Sequence, residues 1–157
     1  LKNMTPPAGS KSVEELKQIV SWAQRPFILK GIMTARGAEK ALEAGASGIV
    51  VSNHGGRVLD HCPATAEVLP EIVDAVGGKM TIFVDGAIRS GMDMFKALAL
   101  GADAVLIGRP FVTTVYGGGE EGVQLYVQKL KAELADTMRM CGAHSLAEIK
   151  RSMLFGF

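Results

Sequence analysis

The sequence has few cysteines and no long apolar run. Cys62 and Cys141 are the only cysteines among 157 residues, and they lie far apart, without the close spacing that metal sites show. We therefore expect no metal and two free thiols, which favour a reducing compartment such as the cytosol. No apolar run approaches the roughly 18 residues that cross a bilayer, so we expect no membrane partner.

An excess of one charge is also missing. The 17 Lys and Arg residues nearly balance the 16 Asp and Glu residues, which leaves a formal net charge of +1. This balance gives no reason to expect nucleic acid as a partner. Apolar residues make up 48% of the sequence and charged residues 21%, which is typical of a globular domain with a hydrophobic core.

Short apolar runs alternate with helical patterns along the chain. Strands are predicted over 27–29, 48–52, 81–84 and 104–107, and helices over 12–23, 34–44, 65–76, 90–100 and about 120–141, with a short last helix opened by Ser145 and Glu148. Residues 1–11 are predicted as a loop, and Tyr116 to Gly119 as a flexible connection. The strands lack strict polar alternation, and their alternation with helices predicts βαβ units and a parallel sheet.

The sequence contains an internal repeat. Residues 41–52, ALEAGASGIVVS, are echoed two βα units later by residues 97–108, ALALGADAVLIG. Such repetition favours a (β/α)8 barrel over an open sheet, but a whole barrel usually needs about 250 residues. With four predicted strands, the chain is expected to have an α/β fold that forms half of a (β/α)8 barrel.

Charged or titratable residues follow every predicted strand. Lys30 follows the first strand, Ser52–Arg57 the second, Asp85–Arg89 the third, and Gly108 with Arg109 the fourth. Because the carboxyl ends of barrel strands share one rim, where active sites lie, we expect these groups to meet there.

The loop after the second strand combines a histidine and an arginine with glycines. His54 supplies an imidazole, which can act as a base. Arg57 can hold a carboxylate through two hydrogen bonds. Gly55 and Gly56 allow close approach of a ligand to the backbone. This loop predicts a site that binds a carboxylate and removes a proton.

The ends of the last two strands predict an anion site. Gly86 and Gly108 leave backbone N–H groups accessible, and Arg89 and Arg109 supply positive charge. Loops after the final strands of such barrels often hold a phosphate. The phosphate would belong to a cofactor or to a phosphorylated substrate.

These segments resemble the FMN-dependent α-hydroxy acid oxidases and dehydrogenases, a family that includes glycolate oxidase and lactate oxidase. The resemblance runs from Val13 to Ile149 and is carried by Lys30-Gly31, SNHGGR, Leu59-Asp60, Pro63–Thr65, DGAIR, KALALGA and IGRP. It implies the C-terminal half of the barrel, FMN as cofactor, and oxidation of a small L-2-hydroxy acid of the lactate or glycolate class to the 2-oxo acid. It also implies a homo-oligomer, since family members commonly form tetramers.

The resemblance implies roles for the substrate side of the site. His54 matches the base that removes a proton from the substrate, and Arg57 matches the arginine that pairs with the substrate carboxylate. Lys30 matches the lysine beside the N1–O2 edge of the flavin, and Ser52 matches a serine that contacts the flavin.

The resemblance also implies the residues that bind the rest of the cofactor. Asp85 matches a residue on the ribityl chain, and the remaining predicted cofactor contacts are Gly86, Ala87, Arg89, Gly108 and Arg109. The family pattern has glycine where this sequence has Ala87, so the added methyl group either crowds the ribityl–phosphate region or requires a different backbone conformation.

The organisation of the chain leaves three functions open. The chain is expected to be one partial domain over 1–157, with the missing N-terminal half or a second copy as partner. One alternative to the oxidase is another phosphate-binding barrel, such as a relative of IMP dehydrogenase or isopentenyl diphosphate isomerase, although the SNHGGR string argues against it. The other is a truncated half-barrel that retains a phosphate or flavin site without catalysis.

Overall fold

Four parallel strands alternate with helices in the computed structural model, which describes residues 9–156. The strands are β1 (Ile28–Ile32), β2 (Gly48–Val51), β3 (Thr81–Val84) and β4 (Ala104–Val105). The helices are α1 (Val13–Ala23), α2 (Ala35–Glu43), α3 (Thr65–Val76), α4 (Gly91–Ala99) and α5 (Arg109–Cys141). The sheet order is β1-β2-β3-β4, and each neighbouring pair is parallel. The predicted parallel α/β arrangement is confirmed, whereas the loop predicted for 1–11 lies mostly outside the described residues.

Side chains at the helix starts explain where three helices begin. Ser12 and Glu15 form a reciprocal capping box at α1, with N–H to oxygen distances of 2.7 and 3.2 Å. The Thr34 hydroxyl accepts a hydrogen bond from the first turn of α2. Ser90 and Asp93 cap α4 in the same reciprocal way. Each cap satisfies backbone N–H groups that have no partner inside the helix.

The two copies of the repeat have the same local structure. Gly45 and Gly101 follow α2 and α4 with φ of +85° and +104°. In each copy, the alanine after the glycine donates its N–H to the carbonyl five residues earlier, at 3.0 and 3.1 Å. This is a Schellman ending, which requires the left-handed conformation that glycine adopts without steric cost. The sequence repeat is therefore a repeated helix ending that feeds a strand.

The main core lies between the sheet and helices α2 and α3. All four residues of β2 are buried, and β2 has a strand on both sides. The most enclosed members of this cluster are Ile49, Val51, Leu69, Ile72, Val76, Ile82 and Val84. A second cluster around Phe95 joins α4 to the C-terminal region. The strand ends that carry the site are thus anchored in a packed core.

The outer strands are less covered than the inner ones. Ile28 in β1 is 45% exposed, and Leu106 after β4 is 40% exposed. This is the apolar edge exposure expected of half a barrel. Among residues 9–156, no helix is both long and apolar enough to cross a membrane.

Two strands, β1 and β4, end more than one residue away from the predicted position. β1 does not end before Lys30-Gly31 but continues to Ile32, because Gly31 adopts φ of +98° and forms a bulge in the pairing with β2. β4 ends at Val105 and not at Ile107. It pairs with β3 through two residues only, and within the described chain it has no neighbour on its other side.

The last helix, predicted over about 120–141, matches the part of α5 that follows a break at Gly119, whereas the helical part before the break was not predicted. Helix α5 begins at Arg109, with proline in its first turn, where a missing N–H does no harm. The segment predicted as a flexible connection, Tyr116 to Gly119, is therefore largely helical, and the break is confined to Gly119, with φ 54° and ψ −137°.

The apolar side of α5 is buried only near the middle of the helix. Leu130 is 6% exposed, and Leu134 and Met138 pack against the Phe95 cluster. Val127 is 40% exposed and Cys141 is also exposed, because α5 is covered by α4 on one side only. The predicted last short helix is a single 3₁₀ turn, Leu146–Glu148.

Candidate active site at the strand ends

The carboxyl ends of β2, β3 and β4 border a cavity of about 580 Å³. Its walls contain eight of the predicted site residues, which are His54, Arg57, Asp85, Gly86, Ala87, Arg89, Gly108 and Arg109. The other two predicted site residues, Lys30 and Ser52, are not among the described residues that form these walls. The two predicted groups, a histidine–arginine loop and an anion site, therefore meet in one cavity.

Lys30 and Ser52 reach this cavity through Asp85. The ammonium group of Lys30 donates hydrogen bonds to Ser52 Oγ and Asp85 Oδ2, both at 2.6 Å. Ser52 is 2% exposed, while Asp85 lies in the cavity wall. The other carboxylate oxygen, Asp85 Oδ1, is buried and has no hydrogen-bond partner among the described residues. Because buried acceptors are rarely left unpaired, this oxygen suits a hydroxyl donor supplied by a ligand.

The loop that carries His54 is held by its own neighbours. Asn53 Oδ1 accepts hydrogen bonds from the N–H groups of Gly55 and Gly56 at 3.0 and 3.3 Å. The His54 N–H donates to Ser52 Oγ at 3.1 Å. His54 has φ of +55°, a conformation that non-glycine residues rarely adopt. The surrounding hydrogen bonds fix this strained backbone, as is common at functional sites.

The glycines of this loop admit a neighbouring side chain. Gly55 has φ of +67°, and a Cβ atom there would lie 2.8 Å from Arg109 Nη2. A side chain at position 55 would therefore displace the Arg109 guanidinium. The group that approaches the backbone closely at Gly55 is thus the Arg109 side chain, which brings the predicted anion site next to the His54 loop.

The loop that carries Arg89 is held from two helices. Asp93 Oδ2 in α4 accepts hydrogen bonds from the N–H groups of Arg89 and Ser90, both at 3.0 Å. Tyr126 in α5 donates its hydroxyl to the Arg89 carbonyl at 2.9 Å. Glu133, also in α5, accepts a hydrogen bond from the N–H of the first residue of α4 at 2.8 Å. Both sides of the loop are thus tied down.

Gly86 and Ala87 form a left-handed turn between β3 and Arg89. Their φ angles are +97° and +60°. Thr65 Oγ1 donates to the Asp85 carbonyl at 2.7 Å and would lie 3.1 Å from a Cβ at Gly86. Ala87 therefore adopts the backbone region expected of the glycine that it replaces, and its methyl group makes that conformation cost roughly 1–2 kcal/mol.

The start of α5 adds a helix N-terminus to the cavity wall. Gly108 is the N-cap residue, and among the described residues no side chain caps this end. Uncapped N–H groups and the positive end of the helix dipole favour an anion. Within residues 9–156, none of Arg57, Arg89 and Arg109 forms an ion pair. The cavity therefore presents unneutralised positive charge.

Sequence reasoning missed several residues that shape this site. Asn53 and Thr65 lay inside motifs that were noticed, and the ability of asparagine to hydrogen-bond a following N–H is a signal that points to Asn53. Tyr126 and Glu133 gave no such signal, since their partners are distant in sequence. In the part of the chain that the structure describes, no three His, Cys, Asp or Glu side chains are grouped to hold a metal ion.

Comparison with known proteins relates this chain to FMN-dependent enzymes. The model of the FMN-dependent dehydrogenase family matches residues 4–155. A peroxisomal (S)-2-hydroxy-acid oxidase of Oryza sativa subsp. japonica is 48% identical over 149 residues, which cover 95% of this chain and 40% of that protein. An L-lactate oxidase of Roseobacter sp. (strain GAI101) is 43% identical over 146 residues, covering 93% and 40%.

Solved structures agree with these relatives. Mandelate oxidase with benzoyl-formic acid has a TM-score of 0.86 to this chain at 43% identity, with 91% of this chain and 43% of that one covered. The four parallel strand–helix units therefore match part of a barrel oxidase, which confirms the predicted partial (β/α)8 barrel. The chain spans about 40% of the length of the curated relatives that it matches.

Proposed function

Because this chain belongs to the FMN-dependent dehydrogenase family, we propose that it contributes the substrate loop and the cofactor-phosphate site to an enzyme that oxidises a small L-2-hydroxy acid to the 2-oxo acid. The observation that carries the proposal is the shared cavity, whose walls hold His54 and Arg57 together with Arg89 and Arg109. Lactate and glycolate are the proposed substrate class. The four residues would bind a carboxylate and a phosphate at opposite ends of one ligand-filled space.

On the substrate side, His54 would act as the base and Arg57 as the carboxylate clamp. The oxidation removes two protons and two electrons from the substrate. The neutral imidazole of His54 can take one proton. A bidentate contact from the Arg57 guanidinium would fix the orientation of the α-carbon. FMN, when bound, would supply the acceptor for the two electrons and for the second proton.

The residues on the cofactor side fit FMN. Arg89, Gly108 and Arg109 would hold the phosphate. This is supported by two arginines that form no ion pair with any described residue and by a helix N-terminus that no described side chain caps. Gly86 and Ala87 would contact the ribityl–phosphate region through their backbone. This arrangement would neutralise the two negative charges of a phosphate monoester.

The Lys30 cluster would hold the ring side of the cofactor. Asp85 would accept a hydrogen bond from a ribityl hydroxyl, which is supported by the buried, unpartnered Oδ1. Lys30 and Ser52 would lie beside the flavin ring, where the ammonium charge offsets negative charge that the ring gains. Since Lys30 already contacts both Ser52 and Asp85, one connected cluster would serve the ring and the ribityl chain.

The proposed enzyme needs more than the segments described above. We propose that residues 1–157 form one partial domain, completed by the remaining part of a barrel or by a second copy, and that the assembled protein is a homo-oligomer such as a tetramer. The exposed edges at Ile28 and Leu106 support a covering partner. A cytosolic location stays a prediction, since the rice relative is named peroxisomal.

A second candidate function is flavin binding without turnover. It is favoured by the share of the relatives that the chain covers, about 40%, because the residues proposed for the phosphate are all present while much of the relatives' length is not matched. This candidate and the oxidase differ in one outcome, which is the conversion of substrate.

A chimera tests the choice. The segment of the rice (S)-2-hydroxy-acid oxidase that matches this chain is replaced by residues 9–156, and flavin absorbance and turnover of glycolate and L-lactate are measured. We expect a flavin-loaded protein whose flavin is bleached by substrate under anaerobic conditions. Flavin without bleaching would support the binding-only function, and a folded, colourless chimera would contradict both.

Two variants of this chimera assign the histidine. His54→Gln should lower kcat by about 10²–10⁴-fold without loss of flavin, since the general base is removed. His144→Gln is the matched control, because His144 is exposed and lies outside the cavity walls. Equal turnover in the His54 and His144 variants would exclude His54 as the base.

A further inference from the structure

Tyr126 contacts both segments that carry the arginines of the anion site. Its hydroxyl donates to the carbonyl of Arg89 at 2.9 Å. Its ring packs edge-on against Phe111, with centroids 5.1 Å apart and planes at 73°. Phe111 lies in the first turn of α5, two residues after Arg109. Tyr126 itself is partly buried and lies in the cavity wall.

We propose that Tyr126 is a positioning residue that sets the spacing between the Arg89 loop and the start of α5. The inference rests on the proposed function, in which Arg89 and Arg109 hold one phosphate together. Tyr126 would act through the backbone of these segments and would not touch the phosphate.

A tether between the two segments has a physical purpose. Two guanidinium groups that converge on one cavity repel each other when no anion lies between them. Arg89 and Arg109 lie at the ends of different strands, β3 and β4, and no ion pair neutralises either one within the described chain. A side chain bonded to one segment and packed on the other limits their separation before the ligand arrives, which lowers the ordering cost of binding.

The geometry also allows a variant that still folds. Tyr126→Phe keeps the ring and its contact with Phe111 and removes only the hydroxyl. The Arg89 loop remains attached through Asp93 and Glu133, which bond to its N–H groups. Tyr116→Phe is the matched control, since Tyr116 lies in α5 before the break at Gly119 and is 90% exposed.

The first measurement needs no flavin. Amide hydrogen exchange is followed for residues 87–91 and 109–112 in the original protein and in both tyrosine variants. Tyr126→Phe should speed exchange in residues 87–91, and Phe111→Leu, which removes the ring contact, should speed it in residues 109–112. Exchange unchanged in both variants would overturn the proposal, whether or not the protein binds flavin.

The second measurement separates positioning from general stability. Affinities for FMN and for riboflavin, which lacks the phosphate, are compared by titration. Tyr126→Phe should reduce the ratio of FMN affinity to riboflavin affinity by about three- to tenfold, the effect of one hydrogen bond, while Tyr116→Phe leaves it unchanged. An equal loss of both affinities would make Tyr126 merely structural and overturn the proposal. If the original protein shows no preference for FMN, the proposed phosphate site fails, and the exchange measurement alone decides whether Tyr126 positions the two segments.

Discussion

The two loops that line the cavity, one with His54 and one with Arg89, are held in place by different means. The His54 loop is held from within, by hydrogen bonds between residues two or three positions apart. The Arg89 loop has local hydrogen bonds to Asp93, and it is also tied to α5 by Tyr126 and Glu133, whose partners lie 37 and 42 residues earlier. The proposed substrate side is thus a local structure, whereas the proposed phosphate side depends on tertiary packing as well.

This difference predicts different responses to damage. A loop with local hydrogen bonds keeps its shape as long as its strand is in place. A loop held by a distant helix loosens whenever that helix shifts. The packing of α4 against α5 should therefore control the proposed phosphate site and leave the His54 loop largely unaffected.

The largest effect is expected where α4 and α5 approach most closely. A Cβ at Gly91 would clash with the backbone N of Leu134 and would lie 2.6 Å from the carbonyl oxygen of Leu130. Gly91→Ala should therefore lower the free energy of unfolding by about 3 kcal/mol, because backbone atoms of α5 must move. The expected drop in Tm is roughly 10 °C. Amide exchange should increase more in the Arg89 loop than in the His54 loop.

Gly117→Ala is the control for this substitution. Gly117 lies in α5, and an added Cβ would meet no atom within 4 Å. The substitution should raise the free energy of unfolding by up to about 1 kcal/mol, because alanine is the better helix former. Equal exchange in both loops of Gly91→Ala would show that they do not differ in how they are held.

The local side of the comparison is tested at Asn53. Asn53→Ala removes two hydrogen bonds to the His54 turn and one to the Pro63 carbonyl. The free energy of unfolding should fall by about 1–2 kcal/mol, as for loss of a capping side chain. Chemical denaturation measures this loss, and exchange should now increase in the His54 loop first. Asn53→Asp keeps the acceptor oxygen and should recover most of the loss, and a variant as unstable as Asn53→Ala would show that the bond to Pro63 is the important one.

The same difference explains what the sequence could predict. The helix starts predicted at Ser12 and Ser90 and the helix end predicted at Ala44 agree with the structure to within one residue, because the hydrogen bonds that set them join residues within five positions of each other. The rim position of His54 and Arg57 followed from the end of one apolar run. Contacts between residues that are close in sequence can be predicted from short sequence patterns.

Other features depended on contacts that no short pattern records. The continuation of β1 through Gly31 and the early end of β4 are set by which neighbouring strand is available. The helical part of α5 that begins at Arg109 continues as far as the break at Gly119, although the three consecutive glycines predict a flexible connection. Tyr126 and Glu133 contact the site because α5 packs against α4, and no short sequence pattern predicts that packing.

Ala87 offers a smaller test, inside the distantly held loop. It has φ of +60°, a conformation in which the alanine methyl group crowds the backbone and in which glycine, without a Cβ atom, does not. Ala87→Gly should raise the free energy of unfolding by about 0.5–1 kcal/mol, since the relief exceeds the entropy that glycine loses on folding. Ala132→Gly is the control, because Ala132 is exposed in helix α5, where replacing alanine by glycine should lower the free energy of unfolding by about 1 kcal/mol. A decrease in both variants would show that Ala87 is not strained.

Alkaline pH should loosen the Arg89 loop alone, through Tyr126. Burial raises the pKa of Tyr126 above its usual 10.0, and the carboxylates of Glu133 in α5 and Asp93 in α4 raise it further. A raised pKa in the folded state means that the hydroxyl contributes its full stability below the unfolded pKa and loses it as pH rises through the folded pKa. The Tm difference between the original protein and Tyr126→Phe should therefore be constant at neutral pH and shrink only above about pH 10, as tyrosinate absorbance appears. A difference that persists after Tyr126 has ionised would mean that its hydrogen bond to Arg89 does not hold the loop, and the two loops would then be less different than their contacts indicate.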